Sequence, residues 1–201
     1  MKNRNRIITM IVVGAILLFI IIIVSWYFKT FNRLVAMDEN VQTQWAQVEN
    51  VYQRRADLIP NLVNTVKGYA SHENQTLTEI VEARAKATSV NINPEKLDAQ
   101  SLQEFQSAQD GLSSALGRLM VIVENYPDLK ANQNFRDLQA QLEGTENRIS
   151  VERRNYNDAA RTYNTTIRSF PASIVANSKG FEKKEYFKAT EGAQSVPEVK
   201  F

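Results

Sequence analysis

The chain begins with a long apolar run that no charge interrupts. Residues 7–28 contain no charged side chain and no proline, and Gly14 is their single glycine. At about 1.5 Å of rise per residue, a helix of about 22 residues is roughly 33 Å long. This length matches the hydrocarbon core of a bilayer, which is about 30 Å thick. The pattern therefore predicts a transmembrane anchor over residues 7–28, preceded by a short basic tail, residues 1–6.

An uncleaved anchor fits this run better than a signal peptide does. A signal peptide has a shorter apolar run, about 7–15 residues, and small residues before its cleavage site. Here the run ends in Ser-Trp-Tyr-Phe at residues 25–28, where an interfacial aromatic belt is expected. Basic residues are more numerous before the run than directly after it, which favours a cytoplasmic N-terminus and an exported C-terminal domain. These basic residues are Lys2, Arg4 and Arg6 on one side, and Lys29 and Arg33 on the other.

After the anchor, apolar residues recur at alternating steps of three and four, which is typical of helices with one buried face. Four such helices are predicted, over about residues 31–57, 62–90, 102–126 and 132–170. No alternating strand pattern is present. The predicted fold class is therefore all-α: a transmembrane helix followed by an antiparallel four-helix bundle over residues 31–171. Residues 172–201 lose the period and are predicted to form a tail, partly disordered or docked on the bundle.

The predicted helix boundaries depend on prolines and capping residues. Pro60 predicts a turn or sharp kink at residues 57–61, because proline lacks the helix N–H and restricts the residue before it. Ser101 and Glu104 fit a capping box, and Asn-Pro-Glu at residues 93–95 is a second helix-start signal. Pro127 is predicted to end the third helix.

The passage from the anchor into the bundle has two interpretations. Either the membrane helix continues unbroken into the first bundle helix, or it breaks near residues 29–32. No proline or glycine lies between Gly14 and Tyr52, which permits the continuous form.

Composition excludes several classes of chemistry. The chain has 24 basic and 22 acidic residues, a net charge of +2, and no long basic block after the anchor, so nucleic acid is not a predicted partner. It has no cysteine, which excludes disulfides, thiolate metal sites and lipoprotein processing. His72 is its one histidine, and Thr76 stands where an H-E-x-x-H motif needs the second. We predict no enzymatic activity, no cofactor and no metal site.

Some polar residues fall on the apolar stripes of the predicted helices, namely Asp38, Arg55, Glu73, Gln109 and Glu152. One interpretation is that they are buried pairs that specify the register of the helices, or that they rotate to the surface. The alternative is a polar ligand site inside the bundle.

Two blocks of sequence resemble the LemA family. The first is Arg-Arg-Ala-Asp-Leu-Ile-Pro-Asn-Leu-Val at residues 54–63, and the second is Tyr-Pro-Asp-Leu-Lys-Ala-Asn at residues 126–132. The resemblance covers about residues 31–201 and implies a membrane-anchored antiparallel helical bundle in a bacterium. One branch of the family is associated with the formation of magnetosome membranes, so the resemblance extends to membrane shaping by analogy.

From these observations we expect a LemA-type scaffold or interaction protein in the bacterial cytoplasmic membrane, spanning it once. The expected partners are the lipid bilayer, further copies of the chain and other membrane proteins; the alternative function is a sensor or ligand-binding module. The bundle is expected on the periplasmic side, although family descriptions often place it in the cytoplasm. The candidate interaction residues are Arg54, Arg55, Asp57, Pro60, Asn61, Tyr126, Pro127, Asp128 and Lys130. Their alternative role is turn chemistry and end-capping.

Overall fold

Six helices account for most of the part of the chain that the computed structural model describes, which is residues 2–90, 92, 94 and 97–188. They are α1 (Lys2–Lys67), α2 (Asn74–Ser89), α3 (Ala99–Val123), α4 (Pro127–Ala131), α5 (Gln133–Arg168) and α6 (Ala172–Lys179). No strand occurs among these residues. The all-α fold class predicted from the periodicity is therefore confirmed.

Helix α1 is longer than the sequence pattern predicted. It crosses residues 29–32 without a break, so the continuous interpretation of the anchor is the correct one. It also passes through Pro60 and ends at Lys67, so the turn predicted at residues 57–61 is wrong. The chain turns instead at residues 68–73, between α1 and α2.

A side chain from α2 explains why α1 tolerates its proline. Pro60 has no N–H to donate to the carbonyl oxygen of Ala56, four residues earlier. That carbonyl accepts a hydrogen bond of 2.7 Å from Nε of Arg84. Because Ala56 is buried, an unpaired carbonyl there would be costly, and Arg84 supplies the missing donor. A tertiary contact, which local pattern cannot reveal, thus keeps the helix intact.

The start of α3 differs from the predicted capping box. Asp98 is the N-cap, and its carboxylate accepts a 2.7 Å hydrogen bond from the backbone N–H of Ser101. This bond holds the pKa of Asp98 below its ordinary value. Ser101 therefore lies in the first turn as a donor, and the box of Ser101 with Glu104 is wrong. The helix-start signal at residues 93–95 falls largely outside the described residues, since Asn93 and Glu95 are not among them.

The connection from α3 to α5 contains a helix that the pattern missed. α3 ends at Val123, and Pro127 occupies the first turn of α4 instead of ending the helix before it. Proline is favoured there because its missing N–H would have no partner in any case. Asn132 then caps α5, its side-chain oxygen accepting from the backbone N–H of Phe135 at 3.0 Å.

The described residues divide into two compact units. The first comprises Met1–Asn40 with Arg161–Lys183, and the second comprises Val41–Ala160 with Lys184–Phe201, each as far as the described residues reach. Helices α1 and α5 contribute to both.

In the first unit, the N-terminal part of α1 exposes apolar side chains on every side. Its 18-residue apolar window has a mean hydropathy of 2.8, and 0% of that window is buried. The core helix of a soluble protein would be covered, whereas a helix that is apolar all round and uncovered is suited to lipid. The chain thus has one N-terminal candidate membrane-spanning helix in its described part, consistent with single-pass anchoring.

In the second unit, α1, α2, α3 and α5 share one apolar core, with Leu129 of α4 added to it. Polar contacts show the directions of three helices. Arg84 of α2 reaches Ala56 of α1 across the short turn at residues 68–73, and Glu79 and Ala87 of α2 bond Arg118 and Gln109 of α3, in reversed order. Helix α2 therefore runs antiparallel to α1 and to α3, as predicted. The largest fully buried side chains of this unit are Trp45, Ile59, Leu62, Ile80, Leu112, Leu119, Leu129, Phe135, Ile149 and Tyr156.

The role of Arg84 is testable with a double-mutant cycle on Pro60. In the natural chain, Arg84→Met should destabilise the fold by about 1–3 kcal/mol, because the buried Ala56 carbonyl loses its donor. In a Pro60→Ala background the alanine N–H can bond that carbonyl, so the same substitution should cost clearly less. Urea unfolding of the full chain in mild detergent, followed by circular dichroism, measures both costs. Equal costs in the two backgrounds would contradict this account.

Candidate functional site

A buried arginine on α1 forms the most connected polar contact of the second unit. Arg55 is only 2% exposed. One of its terminal nitrogens, Nη1, donates to Ser113 Oγ and to Glu146 Oε2, each at 2.9 Å. The other, Nη2, donates to the side-chain oxygen of Gln109 at 2.6 Å and to its backbone oxygen at 3.2 Å. One guanidinium thus joins α1, α3 and α5.

Gln109 extends this network to the fourth helix. Its side-chain nitrogen donates to the backbone oxygen of Ala87 at 3.1 Å. Ala87 lies in the last turn of α2, where helix carbonyls lack an intrahelical partner. The pairing of Arg55 with Gln109 agrees with the interpretation that polar residues on the apolar stripes are buried partners that specify register. Sequence alone had marked both residues, but not their pairing.

The electrostatics of this network are those of a fixed cation. The guanidinium carbon of Arg55 lies 5.1 Å from the centre of the Tyr52 ring, and burial raises the pKa of the Tyr52 phenol. Glu146 is 56% exposed at its side chain, so water screens its ion pair with Arg55. A guanidinium donates hydrogen bonds and accepts none, so this site is suited to holding acceptor groups in place.

An open groove of about 220 Å³ lies beside the network. Glu49 is the one charged residue among those that line it, so the groove has hydrogen-bonding groups but no cluster of charge. The residues that line it are Glu49, Asn50, Tyr52, Gln53, Ala56, Ala87, Thr88, Val90, Phe105 and Gln109. The described residues hold no group of three or more histidine, aspartate and glutamate side chains arranged for a metal ion.

The second predicted block of site residues lies at the loops between helices. The Tyr126 hydroxyl donates to Glu73 Oε1 at 2.9 Å, and this bond raises the pKa of Tyr126. Asn132 donates from its side chain to the Tyr69 hydroxyl at 2.8 Å. These contacts connect the turn before α2 to the turns on either side of α4. They agree with the alternative role of these residues, which was turn chemistry and end-capping.

The predicted candidate residues do not converge on one site. Arg55 is buried, whereas Arg54, Asp57, Pro60 and Asn61 are exposed on α1, and Asp57 accepts a bond from Gln53 at 2.7 Å. Pro127 and Asp128 begin α4, and Lys130 pairs with Glu124.

An aromatic site that was not predicted from the sequence holds the segment 184–188. Phe187 stacks on the Trp45 ring, with centroids 5.7 Å apart and planes 11° apart. The Asn157 amide pairs with the Phe187 backbone twice, donating to its oxygen at 3.1 Å and accepting from its N–H at 2.9 Å. Arg153 covers the Phe187 ring at 4.8 Å. The scattered aromatics of the tail were the single signal in the sequence, and they did not identify this partner.

Comparison with known proteins gives a family and several relatives. The family model described as "LemA family" matches residues 44–201. Magnetosome protein MamQ 2 of Paramagnetospirillum magneticum is 33% identical over 175 residues, covering 78% of this chain and 64% of the relative. Protein LemA of Metamycoplasma hominis is 28% identical over 179 residues, covering 88% and 78%. The chain therefore spans less than two thirds of the length of the MamQ relative.

The contribution of Arg55 is separable from that of its exposed partner. Arg55→Met should destabilise the fold by about 1–3 kcal/mol, because the buried Gln109 oxygen loses its donor. Glu146→Gln removes only a solvent-screened charge and should cost less than about 1 kcal/mol. Urea unfolding in mild detergent compares the two variants. A neutral or stabilising Arg55→Met would show that the network is not required.

Proposed function

Since the chain belongs to the LemA family and its apolar helix is uncovered, we propose that it is a membrane-anchored scaffold that self-associates at the bilayer and takes part in membrane organisation. It is a membrane-associated helical protein. The proposal adds that it binds further copies and other membrane proteins, and it assigns the chain no catalytic step and no cofactor.

The observation that carries the proposal is the exposure of the α1 anchor. An uncovered apolar window with a mean hydropathy of 2.8 can be buried only by lipid or by other membrane helices. Anchors confined to one membrane raise the effective concentration of the bundles that they carry, so weak contacts between copies become sufficient.

The apolar residues that recur at steps of three and four along α1 are not available for that association. Val41, Trp45, Val48 and Tyr52 are buried within the chain itself. Self-association is therefore assigned to the anchors and to the outer surface of α2, where Val81 is an exposed apolar position.

The relatives support the membrane-organising part of the proposal. MamQ 2 of Paramagnetospirillum magneticum and MamQ of Magnetospirillum gryphiswaldense both carry the name magnetosome protein. At 33% and 31% identity over 175 residues, they share most of the helical region with this chain.

We assign the chain to the bacterial cytoplasmic membrane with its bundle outside the cytoplasm. The basic residues ahead of the anchor support this orientation. A phosphatase reporter fused after Phe201, which is active only when exported, tests it, and an inactive reporter with a normally inserted chain would place the bundle inside.

A ligand-binding module is the second candidate function, and the groove beside Arg55 favours it. Gln109 and Tyr52 line that groove and both belong to, or contact, the buried network, so an occupant could stabilise the bundle. A thermal-shift screen with small organic acids and lipid headgroups distinguishes this function from the scaffold role.

Self-association should be visible as energy transfer between labelled copies in liposomes. The chain has no cysteine, so Val121→Cys gives a single labelling position on an exposed part of α3. Transfer between donor- and acceptor-labelled copies should persist when lipid is increased about tenfold, because bound copies stay together. An excess of unlabelled chain should abolish it. Transfer that falls in proportion to dilution would contradict self-association.

A further inference from the structure

The turn between α5 and α6 and the first turn of α6 each carry one exposed apolar side chain that the anchor and core do not account for. Phe170 is 83% exposed and Ile174 is 55% exposed. Both belong to the first unit, which also contains the apolar part of α1. Moving an exposed phenylalanine side chain from water into an apolar environment is favourable.

Contacts within the first unit place α6 beside the end of the apolar run. The hydroxyls of Tyr27 and Ser178 are 3.2 Å apart and hydrogen-bonded. The centres of the Phe31 and Phe181 rings are 6.0 Å apart, and the Lys179 ammonium lies 5.6 Å from the centre of the Phe31 ring. Tyr27 and Phe31 flank the position where the predicted membrane span ends.

The position of Phe170 follows from α5 running back along α1. Tyr163 contacts Phe181, which also contacts Phe31. Burial raises the pKa of the Tyr163 phenol, and the charge of Asp38 raises it further. From Tyr163 to the end of α5 at Arg168 the chain advances roughly 8 Å, and the same number of residues leads back from Asp38 to Arg33. Phe170, two residues beyond the end of α5, therefore lies near the level of Phe31, about one helical turn past Phe28.

That level is the headgroup region of a bilayer whose hydrocarbon ends near Phe28. Hydrocarbon and headgroups together are about 40–45 Å thick, which leaves several ångströms of interface on each side. Aromatic side chains are favoured there. Arg168 and Lys179, both exposed on the same unit, are suited to anionic headgroups.

We propose that Phe170 and Ile174 insert into the interfacial region of the leaflet in which the anchor ends, giving the first unit a second contact with lipid. The inference depends on the anchor being in the bilayer, which is part of the proposed function. The α5–α6 turn and the start of α6 thereby have a role. They fix the first unit against the membrane surface, whereas the anchor helix alone would leave the unit free to tilt.

Single-cysteine labelling with an environment-sensitive fluorophore tests this contact, because the natural chain has no cysteine. The full chain is reconstituted in vesicles of phosphatidylcholine and phosphatidylglycerol with the label at Phe170→Cys or Ile174→Cys. Val121→Cys is the matched control, being 70% exposed but on α3 of the other unit, and Ile20→Cys reports on the anchor. Quenching by lipids that carry a spin label at the headgroup or deep in the chain gives the depth.

The expected result is a blue-shifted emission with headgroup-level quenching at positions 170 and 174, deep quenching at position 20 and a water-like signal at position 121. Deep quenching at 20 with water-like signals at 170 and 174 would overturn this inference and leave the anchor intact. Water-like signals at all four positions would overturn both the inference and the anchor.

A label-free variant guards against insertion driven by the fluorophore. In the Phe170→Ser/Ile174→Ser chain, trypsin should cut vesicle-bound protein at Arg168 and Lys179 about tenfold faster, because the docked state loses two apolar side chains. Val121→Ser should leave these rates unchanged, and circular dichroism verifies that each variant is folded. Equal cleavage rates in the double variant and the natural chain would also overturn the proposal.

Discussion

The side chains of α1 have to suit two different surroundings, the membrane at its N-terminal part and other helices further along. The arrangement of the other elements depends on this constraint. Over its N-terminal part every face is apolar and uncovered, which suits a helix in a membrane. From Leu34 onward only one stripe is apolar, and that stripe includes Val41, Trp45 and Val48, all buried by other parts of the chain. Because the helix has no break between these regions, the change from membrane to protein surroundings is made by side-chain pattern alone.

Polar side chains then decide how the helices around α1 are joined. Arg84 bonds the carbonyl that Pro60 leaves without a donor, and Arg55 joins α3 and α5 directly and α2 through Gln109. In both cases an arginine satisfies buried oxygens that no neighbour in sequence could reach. A buried charge of this kind is weak evidence for stability, and the hypothesis for it here is that it specifies the register of the helices. Within the sequence block at residues 54–63, Arg55 and Pro60 therefore have a structural explanation.

Helix periodicity and the anchor were predictable because they depend on local spacing. The stripe through Leu34, Trp45 and Tyr52 and the long repeat of α5 are buried as the steps of three and four indicate. The errors lie where a distant group overrides a local rule: Arg84 at Pro60, and Asp98 in place of Ser101 at the start of α3. The candidate site shows the same division, since Arg55 and Gln109 were recognised singly, whereas the partnership of Trp45, Asn157 and Phe187 depends on a fold that brings the tail back to α1.

The central claim is that α1 stays helical from lipid to bundle, and a nitroxide scan along it in liposomes tests this most directly. Accessibility to oxygen and to a water-soluble relaxation agent would be measured at each position from Met10 to Val66. The account predicts uniformly high oxygen access on all faces to about Val24, then a helical period with minima at Leu34, Val41, Trp45 and Val48, unbroken across residues 29–32 and Pro60. Loss of the period at either place, with water access on all faces, would contradict it.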